Sequence, residues 1–197
     1  MTADSDRFAR AIEKFDAANR EDPHKELVAG IEHPQELLYA RRMSARLEKL
    51  APDAAEPLRL AARAQHICRW KIPRTDYPAG RRGYLDWRNA CKQMHADLAG
   101  EVLREVGYEG ETIQRVQGLL LKKRLKLDPE MQLLEDVICL VFLENYLAEF
   151  ATKHDDPKLI TIIQKTWKKM SSAGHEAALA LDLPANVRAL VEKALGG

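Results

Sequence analysis

Two histidines and one aspartate interrupt segments that are otherwise apolar. His66, His95 and Asp136 each lie on or beside the apolar face of a different predicted helix, and these helices must share a core in a chain of 197 residues. Imidazole and carboxylate groups are the ligands of hydrolytic Zn, Mn and Fe sites. The pattern predicts a divalent metal (Mn, Fe or Zn) held by His66, His95 and Asp136, with open positions for water. His66 and Asp136 are the expected catalytic residues.

Asp136 is the most unusual of these residues because it falls in the longest apolar segment, Met131 to Phe150. A helix that is apolar on all sides is expected at the centre of a fold. A membrane span is excluded because Glu135, Asp136, Glu144 and Glu149 lie in the segment. A buried carboxylate is costly unless it is paired, hydrogen-bonded or bound to a metal. The partner of Asp136 is therefore the main clue to function.

A basic region precedes the second histidine. Between Arg59 and Lys92 there are nine lysines and arginines against two aspartates, and the segment Lys71 to Gly83 has the prolines and glycines of a loop. This region is either a solvated surface or an anion site, since arginine suits bidentate capture of phosphate. The phosphate-binding residues expected for an anion site are Arg69, Lys71, Arg74, Arg81, Arg82 and Arg88.

The elements that must position these side chains are all predicted to be helical. Apolar residues recur at helical spacing, and no alternation or hairpin dipeptide indicates a strand. We expect a single all-α domain over residues 1–197, with about eight or nine helices. The predicted ranges are 4–19, 34–50, 53–70, 84–106, 111–125, a central helix from Asp128-Pro129 to about residue 150, 157–171 and two short helices at the end. Tyr84 and Trp87 are assigned to the buried stripe of the helix 84–106.

Composition limits the partners. Lysines and arginines nearly balance aspartates and glutamates at a formal charge of +1, so extended nucleic acid is a less favoured partner than a compact ligand, and no membrane association is expected.

Cys68, Cys91 and Cys139 lack paired spacing and are predicted to be reduced core thiols. The first residues have no signal-peptide pattern, which favours a cytoplasmic protein.

The order of these side chains resembles the HD-domain phosphohydrolases: a histidine near the end of an alanine-rich helix, then a basic loop, then an aspartate in a late apolar helix. The resemblance implies an HD-domain-like fold in which a metal-bound water attacks a phosphoester. It matches His66 to the histidine of the HD pair, Asp136 to the final aspartate and His95 to an auxiliary histidine. Ile67 stands in place of the metal-binding aspartate and Tyr39 in place of the first histidine, so weak metal binding is expected. Tyr39, Gln65 and Trp70 would line the pocket.

A second resemblance covers nearly the whole chain. It rests on five strings, which are PQELLYARRM, QHICRWKIPR, GYLDWR, LEDVICLVFLE and KTWKKMS. On these strings the chain resembles an uncharacterised family, domain of unknown function 4202. That resemblance implies no activity.

Three functions are compatible with these patterns. The first is a metal-dependent phosphohydrolase acting on a phosphorylated small molecule or nucleotide. The second is a noncatalytic module that binds a nucleotide or RNA phosphate, with Trp70, Tyr77 or Trp87 available for stacking. The third is a structural or interaction protein in which the polar core only fixes the fold, with Arg69 paired to Asp136 or Glu135.

Overall fold

The computed structural model of the chain describes residues 3–123 and 127–196. The predicted all-α class is confirmed, because helices dominate both parts and the described strands form one small two-stranded sheet. The chain divides into two compact units, residues 1–123 and 124–197, which are described separately below. The single domain over residues 1–197 stays a prediction. No helix in the described part of the chain combines the length and apolarity needed to cross a membrane.

The first unit is built around a short alanine-rich helix. Its elements are α1 (Ala3–Arg20), β1 (Lys25–Val28), β2 (Ile31–Pro34), α2 (Gln35–Leu50), α3 (Glu56–Ala64), α4 (Gly80–Glu105) and α5 (Gly110–Leu120). Helix α3 packs against α1, α2, α4 and α5. Its small side chains are fully buried, which lets these four helices approach it closely.

The prediction that the chain has no strand was wrong at residues 25–34. Strands β1 and β2 pair antiparallel, with Val28 opposite Ile31. Ala29 and Gly30 form the turn between them, and both have positive φ angles, of 49° and 81°. Four-residue strands are too short to give a clear alternation in sequence, and Ala-Gly is not among the dipeptides that signal such a turn.

The third predicted helix, 53–70, is shorter than expected, because α3 covers only Glu56–Ala64. Residues 65–68 form a turn in which Cys68 adopts the left-handed conformation, with φ of 55°. The Cys68 backbone N–H donates to the Asn19 side-chain oxygen at 2.9 Å, which replaces a helical hydrogen bond. His66 therefore lies in this turn rather than inside a helix, and a 3-10 helix (Arg69–Lys71) follows it.

The basic loop is also more structured than predicted. It contains a second 3-10 helix (Arg74–Asp76), and α4 begins at Gly80 instead of residue 84. Gly83 lies in the first turn of α4 against the carbonyl of Pro78, where a Cβ atom would come within 2.0 Å of the Pro78 oxygen. Only glycine allows this close approach of loop and helix.

The second unit contains α6 (Pro129–Asn145), α7 (Leu147–Ala151), α8 (Asp156–Trp167), α9 (Ser172–Leu179) and α10 (Ala185–Gly196). Asp128 caps the start of α6, and its carboxylate accepts the N–H groups of Glu130 and Met131. It is buried on most sides, as its composition predicts, and it packs against α7 and α9. The predicted helix to residue 150 is interrupted at Tyr146, where φ is −123° and ψ is −24°.

Candidate functional site

His66 lies between side chains from two elements of the first unit. The Tyr39 ring, on α2, stacks on the imidazole with a centroid distance of 3.9 Å and an interplanar angle of 10°. A terminal nitrogen of Arg69 lies 2.7 Å from Nε2 of His66, and a carboxylate oxygen of Glu36 lies 3.2 Å from Nδ1. The imidazole is thus held by a guanidinium, a carboxyl group and an aromatic face. We call Glu36, Tyr39, His66, Arg69 and His95 the histidine cluster.

His95, on α4, is the second histidine of the cluster. Its ring centroid is 5.7 Å from that of His66, so two of the three residues that were predicted to converge lie together in the first unit. The side chain is 3% exposed, and a ring N–H donates to the backbone carbonyl of Gln65. Nε2 of His95 and Oε1 of Gln65 are buried without a hydrogen-bond partner among the described residues. Buried polar atoms of this kind are uncommon and point to a missing partner.

Burial and the arginines keep both histidines neutral. Burial is the largest cause that holds the pKa of His66 well below its usual value, and the nearby charge of Arg69 is the second. The charges of Lys122 and Arg88 act in the same direction. The same two causes lower the pKa of His95 to about 3. Burial raises the pKa of Glu36 to about 7, although Arg69 opposes this shift. Near neutral pH the carboxyl group is therefore only partly ionised, and the cluster carries net positive charge.

Arg69 supplies that charge, and a second half-buried arginine, Arg88, acts on His66 from outside the cluster. The Arg69 guanidinium lies 4.8 Å from the centre of the Trp87 ring. Arg88 is the residue after Trp87 in α4, and its guanidinium lies 5.8 Å from the centre of the Tyr84 ring. Within the first unit neither Arg69 nor Arg88 forms an ion pair with a carboxylate among the described residues. Trp87 is fixed by its indole N–H, which donates to the Ile72 carbonyl at 2.9 Å. The arginines are thus held in place by aromatic rings and His66, and the carboxyl group that interacts with the Arg69 charge, that of Glu36, is only partly ionised.

Three residues that were not predicted from the sequence support this site: Asn19, Asp22 and Glu36. Asp22, 1% exposed, accepts the backbone N–H of Glu36 at 2.9 Å and so fixes the start of α2. Asn19, which is fully buried, fixes the turn after α3 through Cys68. The available signal was the pair of short polar side chains at the end of α1, Asn19 in its last turn and Asp22 just after it, a pattern that is typical of capping and turns.

The other predicted phosphate-binding residues differ in surroundings. Arg74 donates to the carbonyls of Tyr77 and Pro78 at 2.8 and 2.9 Å, so it holds the loop together. Lys71, Arg81 and Arg82 are exposed, and Trp70 is half-buried. The structure places only Arg69 within the histidine cluster, and Arg88 is near enough for its charge to lower the pKa of His66. The phosphate role of the whole set stays a prediction.

Asp136 belongs to the second unit and has partners there. The carboxylate is 2% exposed, and it accepts the Ser171 backbone N–H at 2.8 Å, the Ser171 hydroxyl and the Gln132 amide at 3.1 Å. Its neighbour Glu135 lies 3.7 Å from the Lys169 ammonium group. These bonds compensate the burial of Asp136 without a metal.

The predicted metal ligands therefore come from two units. His66 and His95 meet in the first unit, and Asp136 lies in the second. Among the residues that the structure describes, no group of three or more histidine, cysteine, aspartate and glutamate side chains is arranged to hold a metal ion. The metal set, the catalytic roles of His66 and Asp136, and the pairing of Arg69 with Asp136 or Glu135 stay predictions.

Comparison with known proteins gives a family but no activity. The family model described as "Domain of unknown function (DUF4202)" matches residues 9–191, which confirms the resemblance seen in the five strings. No curated protein and no solved structure matches the chain. The HD-domain resemblance stays a prediction.

Proposed function

We propose a function for this chain, which belongs to the family described as Domain of unknown function (DUF4202): its first unit binds a phosphorylated small molecule or a nucleotide at the histidine cluster. The observation that carries this proposal is the pair Arg69 and Arg88, which have no carboxylate partner in the described part of that unit. A partly buried positive charge without a counter-ion is costly, and a bound anion removes that cost. A phosphate group matches two guanidinium groups in both charge and geometry.

The contact of Arg69 with His66 favours an anion over a cation at this position. A guanidinium nitrogen already lies 2.7 Å from Nε2 of His66, where a metal ion would have to displace it or share the site with its charge. A phosphate oxygen instead adds an acceptor for the Arg69 donors that His66 does not use. Glu36, whose pKa is raised to about 7, can lose its proton or keep it according to the charge of the ligand.

Calorimetric titration of the full chain with inorganic phosphate and with ribose 5-phosphate tests this proposal. An Arg69→Gln variant removes the charge, and we expect its affinity to fall roughly 10- to 150-fold, the equivalent of one lost charge-assisted hydrogen bond. Arg104→Gln is the matched control, because Arg104 is an exposed arginine at the other end of α4. Equal affinities in the two variants would place the anion elsewhere. No binding by the wild-type chain would favour the structural or interaction protein.

We also propose metal-dependent phosphoester hydrolysis as a second function, on the HD-domain-like pattern, with a metal held by His66 and His95 in the first unit. The observation in its favour is the unpartnered Nε2 of His95 beside His66. A metal bound there would supply an activated water. The metal content of protein purified without chelator, compared with that of a His95→Ala variant, tests it independently of activity. Metal in the wild type that disappears in the variant supports hydrolysis, and phosphate binding by a metal-free chain supports the first proposal.

The cytoplasm is the location that we propose for both functions. Cys68, Cys91 and Cys139 are all buried and free, which suits a reducing compartment.

A further inference from the structure

Tyr84, in the first turns of α4, is exposed although the sequence places it on a buried stripe. The residue is 43% exposed, and it is the one aromatic among the exposed large apolar side chains of the described residues. Its position follows from the early start of α4, because the loop that reaches Gly80 covers Gly83 and leaves the Tyr84 ring outside. A single exposed tyrosine would need no explanation on an ordinary surface. This one lies next to the proposed phosphate site.

The Tyr84 ring is connected to the histidine cluster by a series of contacts. Its centroid is 5.9 Å from that of Trp87, at an angle of 44°. Arg69 lies over Trp87 and contacts His66 in turn. The Arg88 guanidinium lies 5.8 Å from the Tyr84 centroid, and its Nη1 is 3.4 Å from the Tyr84 hydroxyl. One arginine of the proposed phosphate site therefore also borders the exposed ring.

We infer that Tyr84 is the stacking surface for the base of a nucleoside monophosphate whose phosphate is bound by Arg69 and Arg88. This inference rests on the proposed phosphate-binding function and adds the class of ligand. A flat base on Tyr84 removes two apolar faces from water, and a guanidinium at the edge of the stack adds a cation–π contribution. Trp87 is less suited to this role, because it is half-buried and its indole N–H is bonded to the Ile72 carbonyl.

A mononucleotide fits better than a nucleic-acid chain. Proteins that track single strands offer successive exposed aromatic rings along a basic groove. Here one exposed aromatic ring adjoins one pair of arginines, in a chain with a formal charge of +1. One exposed ring can stack on one base, and one pair of arginines can bind one phosphate group.

Calorimetric titration of the full chain with adenosine 5′-monophosphate and with ribose 5-phosphate separates base from phosphate recognition. We expect the wild type to bind the nucleotide more tightly. Tyr84→Leu should weaken nucleotide binding roughly 5- to 150-fold, which is the value of one base-aromatic stack, and should leave ribose 5-phosphate binding unchanged. Tyr84→Phe keeps the ring and should retain the preference. Leu85→Ala, at the neighbouring exposed residue, controls for local disturbance of α4.

Two results would overturn the inference and leave phosphate binding intact. One is equal affinity of the wild type for the two ligands, and the other is a Tyr84→Leu variant that loses both ligands to the same extent. If the wild type binds neither ligand, the proposed phosphate-binding function fails first, and the base site fails with it.

Discussion

The Ser171 hydroxyl makes two hydrogen bonds on which the burial of Asp136 depends. It donates to one carboxylate oxygen of Asp136, and it accepts the Gly174 backbone N–H at 3.1 Å, which caps the start of α9. Gly174 itself lies so close to Asp136 that a Cβ atom would come within 2.7 Å of the carboxylate. The substitution Ser171→Ala removes both bonds and leaves the backbone contact between Ser171 and Asp136 in place.

The expected loss of stability follows from these two bonds. A hydrogen bond to a charged group contributes about 1.5–3 kcal/mol, and replacing a serine N-cap by alanine costs about 1 kcal/mol. Because the Ser171 backbone N–H and the Gln132 amide still bond Asp136, we expect a combined loss of roughly 2–4 kcal/mol. For a chain of this size the melting temperature should then fall by about 4–16 °C.

Thermal unfolding of the full chain measures this effect, and Ser172→Ala is the matched control. Ser172 is the exposed first residue of α9 and should change the stability by less than about 0.5 kcal/mol. If both variants melt within about 2 °C of the wild type, Asp136 does not depend on Ser171 for compensation. Such a result would make a metal or another ligand the better explanation of the buried carboxylate.

Two further predictions concern the first unit. Asn19→Ala leaves the Cys68 backbone N–H without its acceptor, so the free energy of unfolding should fall by about 1–3 kcal/mol and the Cys68 amide should exchange hydrogen faster, as measured by NMR. Unchanged exchange would contradict the role given to Asn19. Gly83→Ala places a Cβ atom 2.0 Å from the Pro78 carbonyl oxygen, so the loop must move and the melting temperature should fall below that of a Gly118→Ala control, in which the new Cβ meets no atom within 4 Å. Equal melting temperatures of the two variants would refute this steric account.

Much of the fold was predictable because it depends on local periodicity. The helices α1, α2 and α8 lie close to their predicted ranges, since apolar stripes and proline positions determine where such helices start and end. The burial of all three cysteines was predicted for the same reason. The errors fall where a distant side chain decides the local structure. Helix α3 ends early because Asn19, 49 residues before Cys68, accepts its backbone N–H.

The composition of the candidate site was less predictable than its location. The two histidines could be assigned to one core from their apolar surroundings, and their rings do lie together. Glu36 could not be identified as a neighbour of His66, because their contact depends on how α2 packs beside the turn after α3. The exposure of Tyr84 could not be predicted either, because its spacing in the sequence is that of a core residue. Its exposure depends on where the preceding loop ends and α4 begins, at Gly80.

A polar residue in an apolar segment predicts that some partner exists, but it does not identify the partner. Asp136 and His66 were equivalent by that criterion, but their partners in the structure differ in kind. Asp136 is compensated by Ser171, 35 residues later, in bonds that a folded unit needs for its own stability. His66 is contacted by Arg69, which forms no ion pair with a carboxylate in the described part of its unit. Beside it lies His95, whose Nε2 has no hydrogen-bond partner among the described residues. An incomplete set of interactions is what a ligand can complete, and a search for ligands should therefore start at the histidine cluster rather than at Asp136.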